Sequence, residues 1–188
     1  MKQIYNAGSM FNEAQVNQRK IEGVNMRGEL TDFIIKNPID FDTNQSVTPT
    51  PLQIWATDYQ AVTESEYVIC ELDSLDHGMI MEFAIAIEQA KTTQLNKFVI
   101  AVVSDFRYYQ KGSTTQMAEI AINHFVYGAL FDEQLVADNR VYLVKSHNAA
   151  IELIKLREEY LRTTDSKILD QMNLMNQTFI YEDGSMFN

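Results

Sequence analysis

The sequence contains very little cysteine and little positive charge. Cys70 is the single cysteine, which excludes an intramolecular disulfide and fits a reducing cytoplasm. The 15 lysines and arginines are outnumbered by 26 aspartates and glutamates, so the net charge is -11. A surface that binds polymeric nucleic acid must be basic in order to neutralise phosphates. The single cysteine and the low number of basic residues predict a cytoplasmic protein that binds no nucleic acid polymer.

Long apolar runs and cofactor motifs are also missing. No stretch reaches the length of a membrane span, and the amino-terminal residues lack the apolar core of a secretory signal, so no membrane partner is expected. The Gly-x-Gly-x-x-Gly fingerprint of dinucleotide-binding folds does not occur. The three histidines, His77, His124 and His147, lack the spacing of metal ligands. We therefore expect neither a metal nor an organic cofactor.

Apolar strand patterns alternate with helical patterns along the chain. Strands are predicted over residues 2–7, 67–72, 97–103 and 140–144, with a weaker fifth strand over residues 33–41. Loops are predicted over residues 37–52, which hold all three prolines and would cover the ligand pocket, and over residues 104–115 on its opposite side. The alternation predicts one α/β domain over residues 1–188, with a doubly wound, flavodoxin-like, five-stranded parallel sheet and helices on both faces. Residues 149–188 are predicted to form a helical extension and tail.

One predicted strand is followed by a group of acidic residues. The apolar run of residues 67–72 indicates a strand buried on both faces, and Asp73, Asp76 and Glu82 follow it. Ligands of open α/β sheets bind at the carboxyl ends of the strands. Glu82 precedes the apolar residues 83–90, so we expect it in the first turn of a helix, where the helix dipole would keep its carboxylate charged. A charged carboxylate can serve as a nucleophile, whereas Asp76 could simply cap the helix.

Four separated segments resemble the nucleoside 2-deoxyribosyltransferase family. Residues 4–11 are similar to its opening strand and glycine turn, and residues 54–58 to its tryptophan-containing helix with a following aspartate. Residues 76–82 resemble its Asp-x-Gly-x-x-x-Glu nucleophile motif, and residues 122–128 the helix whose asparagine crosses a subunit interface. The ending at residues 179–184 is similar to the family's aromatic and acidic tail. Together these segments span most of the chain.

The resemblance implies transfer of a 2-deoxyribosyl group between purine or pyrimidine bases through a covalent glycosyl-enzyme intermediate. It implies that Glu82 is the nucleophile and that Tyr5 holds Glu82 with a phenolic hydrogen bond. Asp58 and Asp76 would bind the base and the sugar. Asp76 is the preferred proton donor, because crowding by like charges would raise the pKa of its carboxyl group.

The resemblance also implies the other substrate-binding positions. Gly8 and Gly78 are predicted to be among them, Phe11 would stack on the base, and Asn123 would reach the sugar in a neighbouring subunit. The protein would then be a homo-oligomer whose subunits share active sites. Its expected partners are deoxyribonucleosides and free purine or pyrimidine bases. Trp55 is interpreted as a packing residue.

Two other functions stay open at this point. A 2-deoxynucleoside 5-monophosphate N-glycosidase would use the same nucleophile and hydrolyse the intermediate. Such enzymes carry an arginine in the opening turn to bind the phosphate, and residues 8–12 contain none, which favours an unphosphorylated substrate. A non-catalytic nucleoside sensor could use the same architecture, because a fold does not determine a function. A sensor would not need Glu82.

Overall fold

Parallel strands form a sheet at the centre of the structure. The computed structural model describes residues 1–44, 48–73, 76–92, 97–105 and 122–177. The strands of the described residues are β1 Lys2–Ala7, β2 Phe33–Lys36, β3 Tyr67–Glu71, β4 Phe98–Val102 and β5 Val141–Val144. Their order in the sheet is β2-β1-β3-β4-β5, with every neighbouring pair parallel. This is the flavodoxin-like order, and it confirms the predicted α/β fold.

Helices cover both faces of the sheet. They are α1 Glu13–Glu29, α2 Pro51–Glu64, α3 His77–Thr92, α4 His124–Gly128, α5 Glu133–Ala137, α6 His147–Thr163 and α7 Ser166–Met175. Helices α2 to α5 contribute buried side chains to the core on one face, and α1, α6 and α7 contribute to the core on the other. Within the described ranges, no helix combines the length and apolar character needed to cross a bilayer.

The strands bury side chains on both faces because each face has its own helical layer. Along β3, Val68 and Cys70 belong to the core under α2 and α3, whereas Ile69 belongs to the core under α1 and α6. Strand β1 alternates in the same way. Its Tyr5 joins the α3 layer, and its neighbour Asn6 hydrogen-bonds to side chains of α1 and α6. The carboxyl end of β1 therefore places polar groups on both faces of the sheet.

The described residues between β2 and α2 include short 3-10 turns where the sequence predicts a strand end and a loop. The weak fifth strand ends at Lys36 instead of residue 41, because Pro38 begins the 3-10 turn Pro38–Asp40 and has no amide hydrogen for a strand ladder. A second 3-10 turn covers Asp42–Asn44. Thr50 then caps α2, so the predicted loop of residues 37–52 ends before Pro51.

The predicted helical extension is present as α6 and α7. Helix α6 begins at His147 and buries Ala150, Ile151 and Ile154 completely or nearly so, so it forms part of the layer that covers the sheet. Helix α7 packs on α6 and adds Ile168 and Met172 to the same core. The tail at residues 179–184 and most of the loop at residues 104–115 lie outside the described residues.

Candidate active site

Glu82 and Tyr5 meet at the carboxyl end of the sheet. Tyr5 lies on β1 and is fully buried, and Glu82 lies on α3 and is partly buried. The Tyr5 hydroxyl donates a hydrogen bond of 2.7 Å to Glu82 Oε1. This contact between residues far apart in the chain is the one that the resemblance implies. Burial, and then the negative charge of Glu82, raises the pKa of Tyr5 well above its usual value, so the phenol remains a hydrogen-bond donor.

Asp76 caps α3, and this sets the position of Glu82 in the helix. Asp76 Oδ1 accepts hydrogen bonds from the backbone amides of Gly78 at 2.8 Å and Met79 at 3.4 Å. The helix therefore begins at His77, and Glu82 lies in its second turn. The predicted start at Glu82 is wrong. The helix dipole acts mainly within the first turn, so it is not what determines the charge of Glu82.

The charge of Glu82 is governed by burial. Loss of water contact raises the pKa of Glu82 to about 7, the hydrogen bond from Tyr5 lowers it, and the charges of Asp58 and Asp76 raise it further. The expectation that this carboxylate is held in its charged form by the helix is thus wrong. At neutral pH the Glu82 carboxyl group is therefore present in both its protonated and its ionised form. A pKa shifted this far by burial is typical of a functional site.

Asp58 is a second carboxyl group beside Glu82. It lies on α2, and its Oδ1 atom is buried with no hydrogen-bond partner in the part of the chain that the structure describes. Burial raises the pKa of Asp58 to about 6. Asp76, in contrast, is engaged by the cap of α3, and the Ser9 hydroxyl donates to its Oδ2 at 3.4 Å. Asp58 is therefore better placed than Asp76 to hold a proton and give it to a ligand.

A cavity of about 340 Å³ opens beside the two acids. One wall is aromatic, because Trp55 and Tyr59 stack with ring centroids 5.0 Å apart and planes inclined by 26°. The described lining is otherwise mainly apolar and includes Pro49, Pro51, Ile54, Gly78, Met81 and Ile85. No lysine or arginine is among these described lining residues. The cavity therefore suits an uncharged ligand with a flat ring.

The aromatic wall is the part of the site that sequence reasoning missed. Trp55, interpreted as a packing residue, is 46% exposed and lines the cavity. Tyr59 was not singled out, although its spacing of four residues from Trp55 puts both rings on one side of a helix. Asp58 lies between them in the sequence. An aromatic pair at this spacing around an acid is the signal that could have revealed the wall.

The structure brings only some of the predicted substrate-binding residues together. Asp58, Gly78 and Glu82 line the cavity, and Phe11 is a surface residue with 79% of its side chain exposed. Gly8 faces the other layer, where an added Cβ would collide with the Arg19 guanidinium. Asn123, predicted to lie within a helix, instead caps α4 by accepting a hydrogen bond of 2.9 Å from the Phe125 amide.

The described ranges contain no group of three or more His, Cys, Asp or Glu side chains arranged to hold a metal ion. The ionisable side chains among the described lining residues are the carboxyl groups of Asp58 and Glu82 and the phenol of Tyr59. One carboxylate can attack an electrophilic carbon, and a neighbouring carboxyl can give and take a proton.

The raised pKa of Glu82 has a consequence for stability that needs no ligand to test. The folded carboxyl keeps its proton up to about pH 7, whereas the usual pKa is 4.5, so the stability of the folded protein falls as pH rises between these values. Glu82→Gln removes this loss. We expect the free energy of unfolding of the variant to match wild type at about pH 4 and to exceed it by about 1 to 3 kcal/mol at about pH 8.

Urea unfolding of both proteins at the two pH values measures this difference. Glu88→Gln is the matched control, because Glu88 lies on the same helix and is exposed to solvent. If Glu82→Gln raises the free energy of unfolding equally at both pH values, the raised pKa of Glu82 is not the cause. Only titration of Glu82 makes this stabilisation depend on pH.

The fold and the site together define a flavodoxin-like α/β protein with a carboxyl pocket at the switch point between β1 and β3. No family model matches the sequence, and a search of curated proteins finds no match. A conserved protein from Enterococcus faecalis V583 is similar in structure, with a TM-score of 0.63 and 22% sequence identity. The similarity covers 84% of this chain and 99% of that chain. At this level of identity the likeness shows the α/β fold alone.

Proposed function

We propose that this protein transfers a 2-deoxyribosyl group between nucleobases in cytoplasmic base salvage, with Glu82 as the nucleophile. The observation that carries the proposal is the partly buried Glu82 carboxyl group, oriented by the Tyr5 hydroxyl at 2.7 Å beside a cavity that also contains Asp58. Glycosyl transfer with retained configuration needs two carboxyl groups, one to attack the anomeric carbon and one to move a proton. Glu82 and Asp58 supply these two groups.

In the first half of the reaction, a carboxylate oxygen of Glu82 attacks C1′ of the sugar. The bond between C1′ and the base nitrogen breaks, and its electron pair stays on the nitrogen, which takes a proton from Asp58. The products are a glycosyl ester on Glu82, a free base and an ionised Asp58. In the second half, a nitrogen of an incoming base attacks C1′ and gives its proton to Asp58, and the Glu82 carboxylate is released.

The reaction requires one proton on the carboxyl pair, located on Asp58. The pKa is about 7 for Glu82 and about 6 for Asp58, and the ionisation of one group opposes that of the other, so the pair holds one proton between these values. The hydrogen bond from Tyr5 favours the ionised form of Glu82. The pKa of Glu82 nevertheless stays above that of Asp58, so without substrate the shared proton lies mainly on Glu82. The first step uses the other arrangement, with Glu82 ionised and Asp58 protonated, and the hydrogen bond from Tyr5 raises the population of this arrangement.

The cavity wall supports a nucleoside as substrate. The Trp55 and Tyr59 rings offer a flat apolar surface on which a purine or pyrimidine can stack. The described lining offers no cationic side chain for a 5′-phosphate, which favours a nucleoside over its monophosphate. The same observation makes the monophosphate N-glycosidase the weaker alternative.

The proposal includes a homo-oligomer that shares its sites. Leu52 on α2 and Met81 on α3 are 73% and 54% exposed near the cavity, and Phe125 on α4 is 92% exposed. A second copy that covers these side chains would remove apolar surface from water and could bring Asn123 to the sugar. The purified protein should then sediment as a species larger than its 21.6 kDa chain.

The direct test is to incubate the protein with thymidine or deoxyinosine and free adenine, and to separate the products by chromatography. Formation of deoxyadenosine is the expected result. Release of free base without formation of a new nucleoside would mean that the protein hydrolyses the nucleoside and does not transfer its sugar. If both donors stay intact and the protein is folded and oligomeric, the proposed function is wrong and a nucleoside sensor becomes the better hypothesis.

A further inference from the structure

A second cavity, of about 160 Å³, lies on the face of the sheet opposite Glu82. It is found at the carboxyl ends of β3 and β4 and at the first turn of α6, and it shares no lining residue with the cavity beside Glu82. The polar side chains that matter for its chemistry are Arg19, Glu22, Glu71, Ser146 and His147. None of them has a part in the proposed transfer reaction.

Arg19 lines this cavity, and its side chain has an unused hydrogen-bond donor. Its side chain is only 2% exposed, and its Nη2 atom donates to Glu22 at 3.0 Å and to Glu71. Its Nε atom is buried and has no partner among the residues that the structure describes. A buried donor without a partner is costly, so native proteins rarely leave one unpaired. The Arg19 Nε–H group therefore indicates a missing acceptor.

His147 lines the same cavity, and its ring has an unused hydrogen-bond acceptor. The Asn6 amide nitrogen donates to Glu22 Oε2 at 3.0 Å, which leaves Asn6 Oδ1 facing His147 Nε2 at 3.1 Å. An oxygen only accepts, so Nε2 carries the ring proton and Nδ1 of the neutral ring is an acceptor. Nδ1 is buried and, within the described ranges, has no hydrogen-bond partner. A ligand that pairs with both of these atoms would offer a donor to His147 Nδ1 as well as an acceptor to Arg19 Nε.

The first turn of α6 supplies further donors. Ser146 caps this 17-residue helix by accepting a hydrogen bond from Ala149, and both Ser146 and His147 line the cavity. The leading amides of a helix have no acceptor within the helix, and the helix dipole makes this end favourable for negative charge. The cavity thus combines a guanidinium donor, a helix amino terminus and one neutral imidazole acceptor.

We infer that this cavity binds a small oxyanion that keeps one O–H group, and phosphate is the simplest example. Its oxygens accept from Arg19 Nε and from the first turn of α6, and its O–H donates to His147 Nδ1. Glu22 and Glu71 also line the cavity, and Arg19 offsets only one of their charges, so a fully ionised oxyanion is disfavoured. A volume of about 160 Å³ accommodates a phosphate group but not a nucleotide.

Calorimetric titration of the full chain with inorganic phosphate and with sulfate tests the inference. Sulfate has the same shape and no proton to donate at neutral pH. We expect one phosphate to bind per chain, and sulfate to bind at least about tenfold more weakly, which is the effect of one lost hydrogen bond. His147→Gln should weaken phosphate binding by about tenfold as well, because its amide nitrogen can still donate to Asn6 whereas the Nδ1 acceptor is gone.

Two comparisons make the result decisive. The thermal unfolding of His147→Gln should match wild type, which separates loss of a ligand contact from loss of the fold. Glu82→Gln should bind phosphate with wild-type affinity, because Glu82 lies on the other face of the sheet. The inference is overturned by an absence of binding at about 10 mM phosphate, by equal affinity for sulfate, or by binding that Glu82→Gln weakens and His147→Gln does not.

Discussion

Glu82→Gln is expected to lower the rate of deoxyadenosine formation by at least about a thousandfold, because the amide cannot form the glycosyl ester through which the sugar passes. The fold should survive, since the amide oxygen can still accept the Tyr5 hydrogen bond that Glu82 Oε1 accepts at 2.7 Å. The rate is measured by chromatography of the thymidine and adenine reaction. Intact-mass measurement of the rapidly quenched enzyme should show a deoxyribosyl adduct in wild type and none in the variant.

Glu88→Gln is the control for this experiment. Glu88 lies on the same helix and is exposed, so its amide variant makes the same change of charge away from the cavity. It should retain the wild-type rate and the adduct. Transfer by Glu82→Gln at wild-type rates would refute Glu82 as the nucleophile, and transfer with no adduct on wild type would indicate direct displacement by the incoming base.

Asp58→Asn is expected to lower transfer from thymidine or deoxyinosine by about 10² to 10⁴-fold, the usual contribution of a general acid. The physical reason is that the departing base nitrogen would leave as an anion without the proton of Asp58. A nucleoside whose base is stable as an anion needs no such proton when that base leaves. For this nucleoside, the transfer rate should fall much less in Asp58→Asn than it falls for thymidine. The measurement is the ratio of the two transfer rates in the variant and in wild type.

Asp76→Asn is the matched comparison for Asp58. Asparagine caps helices about as well as aspartate, so the cap of α3 and the position of Glu82 should be kept. We expect Asp76→Asn to lower the transfer rate modestly, and by the same factor for nucleosides with different leaving groups. The opposite pattern, with leaving-group dependence in Asp76→Asn and none in Asp58→Asn, would restore the sequence-based preference for Asp76 as proton donor.

The start of α3 shows how a local signal can be misjudged. Apolar residues after Glu82 indicated a helix, and the possibility that Asp76 is a cap was available from the sequence. Which of the two residues begins the helix depends on whether Gly78 takes helical conformation, and glycine permits many conformations. The capping hydrogen bonds from Gly78 and Met79 decide in favour of Asp76. The electrostatic argument for Glu82 then changes from a dipole effect to a burial effect.

The glycine turn after β1 shows a different limit of prediction from sequence. Gly8 is predicted to bind substrate because residues 4–11 resemble the opening strand and glycine turn of the family. In the structure, a Cβ at this position would instead meet the Arg19 guanidinium on the other face of the sheet. A resemblance identifies the glycine turn, and only the folded chain shows which group lies against it.

Sequence by itself determined the architecture of this protein and the edge of the sheet at which its acidic residues lie. Alternating apolar strands and amphipathic helices require a parallel sheet covered on both faces, because only such a fold buries strands that are apolar throughout. The acidic group after β3 then had to lie at the carboxyl edge of the sheet. These conclusions depend on residues that are neighbours in the chain, and local patterns are sufficient for them.

The tertiary structure alone decided the state of each acid and the existence of the second cavity. Tyr5 and Glu82 are 77 residues apart in the sequence, and Asn6 and His147 are 141 apart. Burial and pairing between such distant groups set their pKa values and leave Arg19 and His147 with unused polar atoms. Loss of water contact depends on everything packed around a side chain, so only the folded chain fixes it.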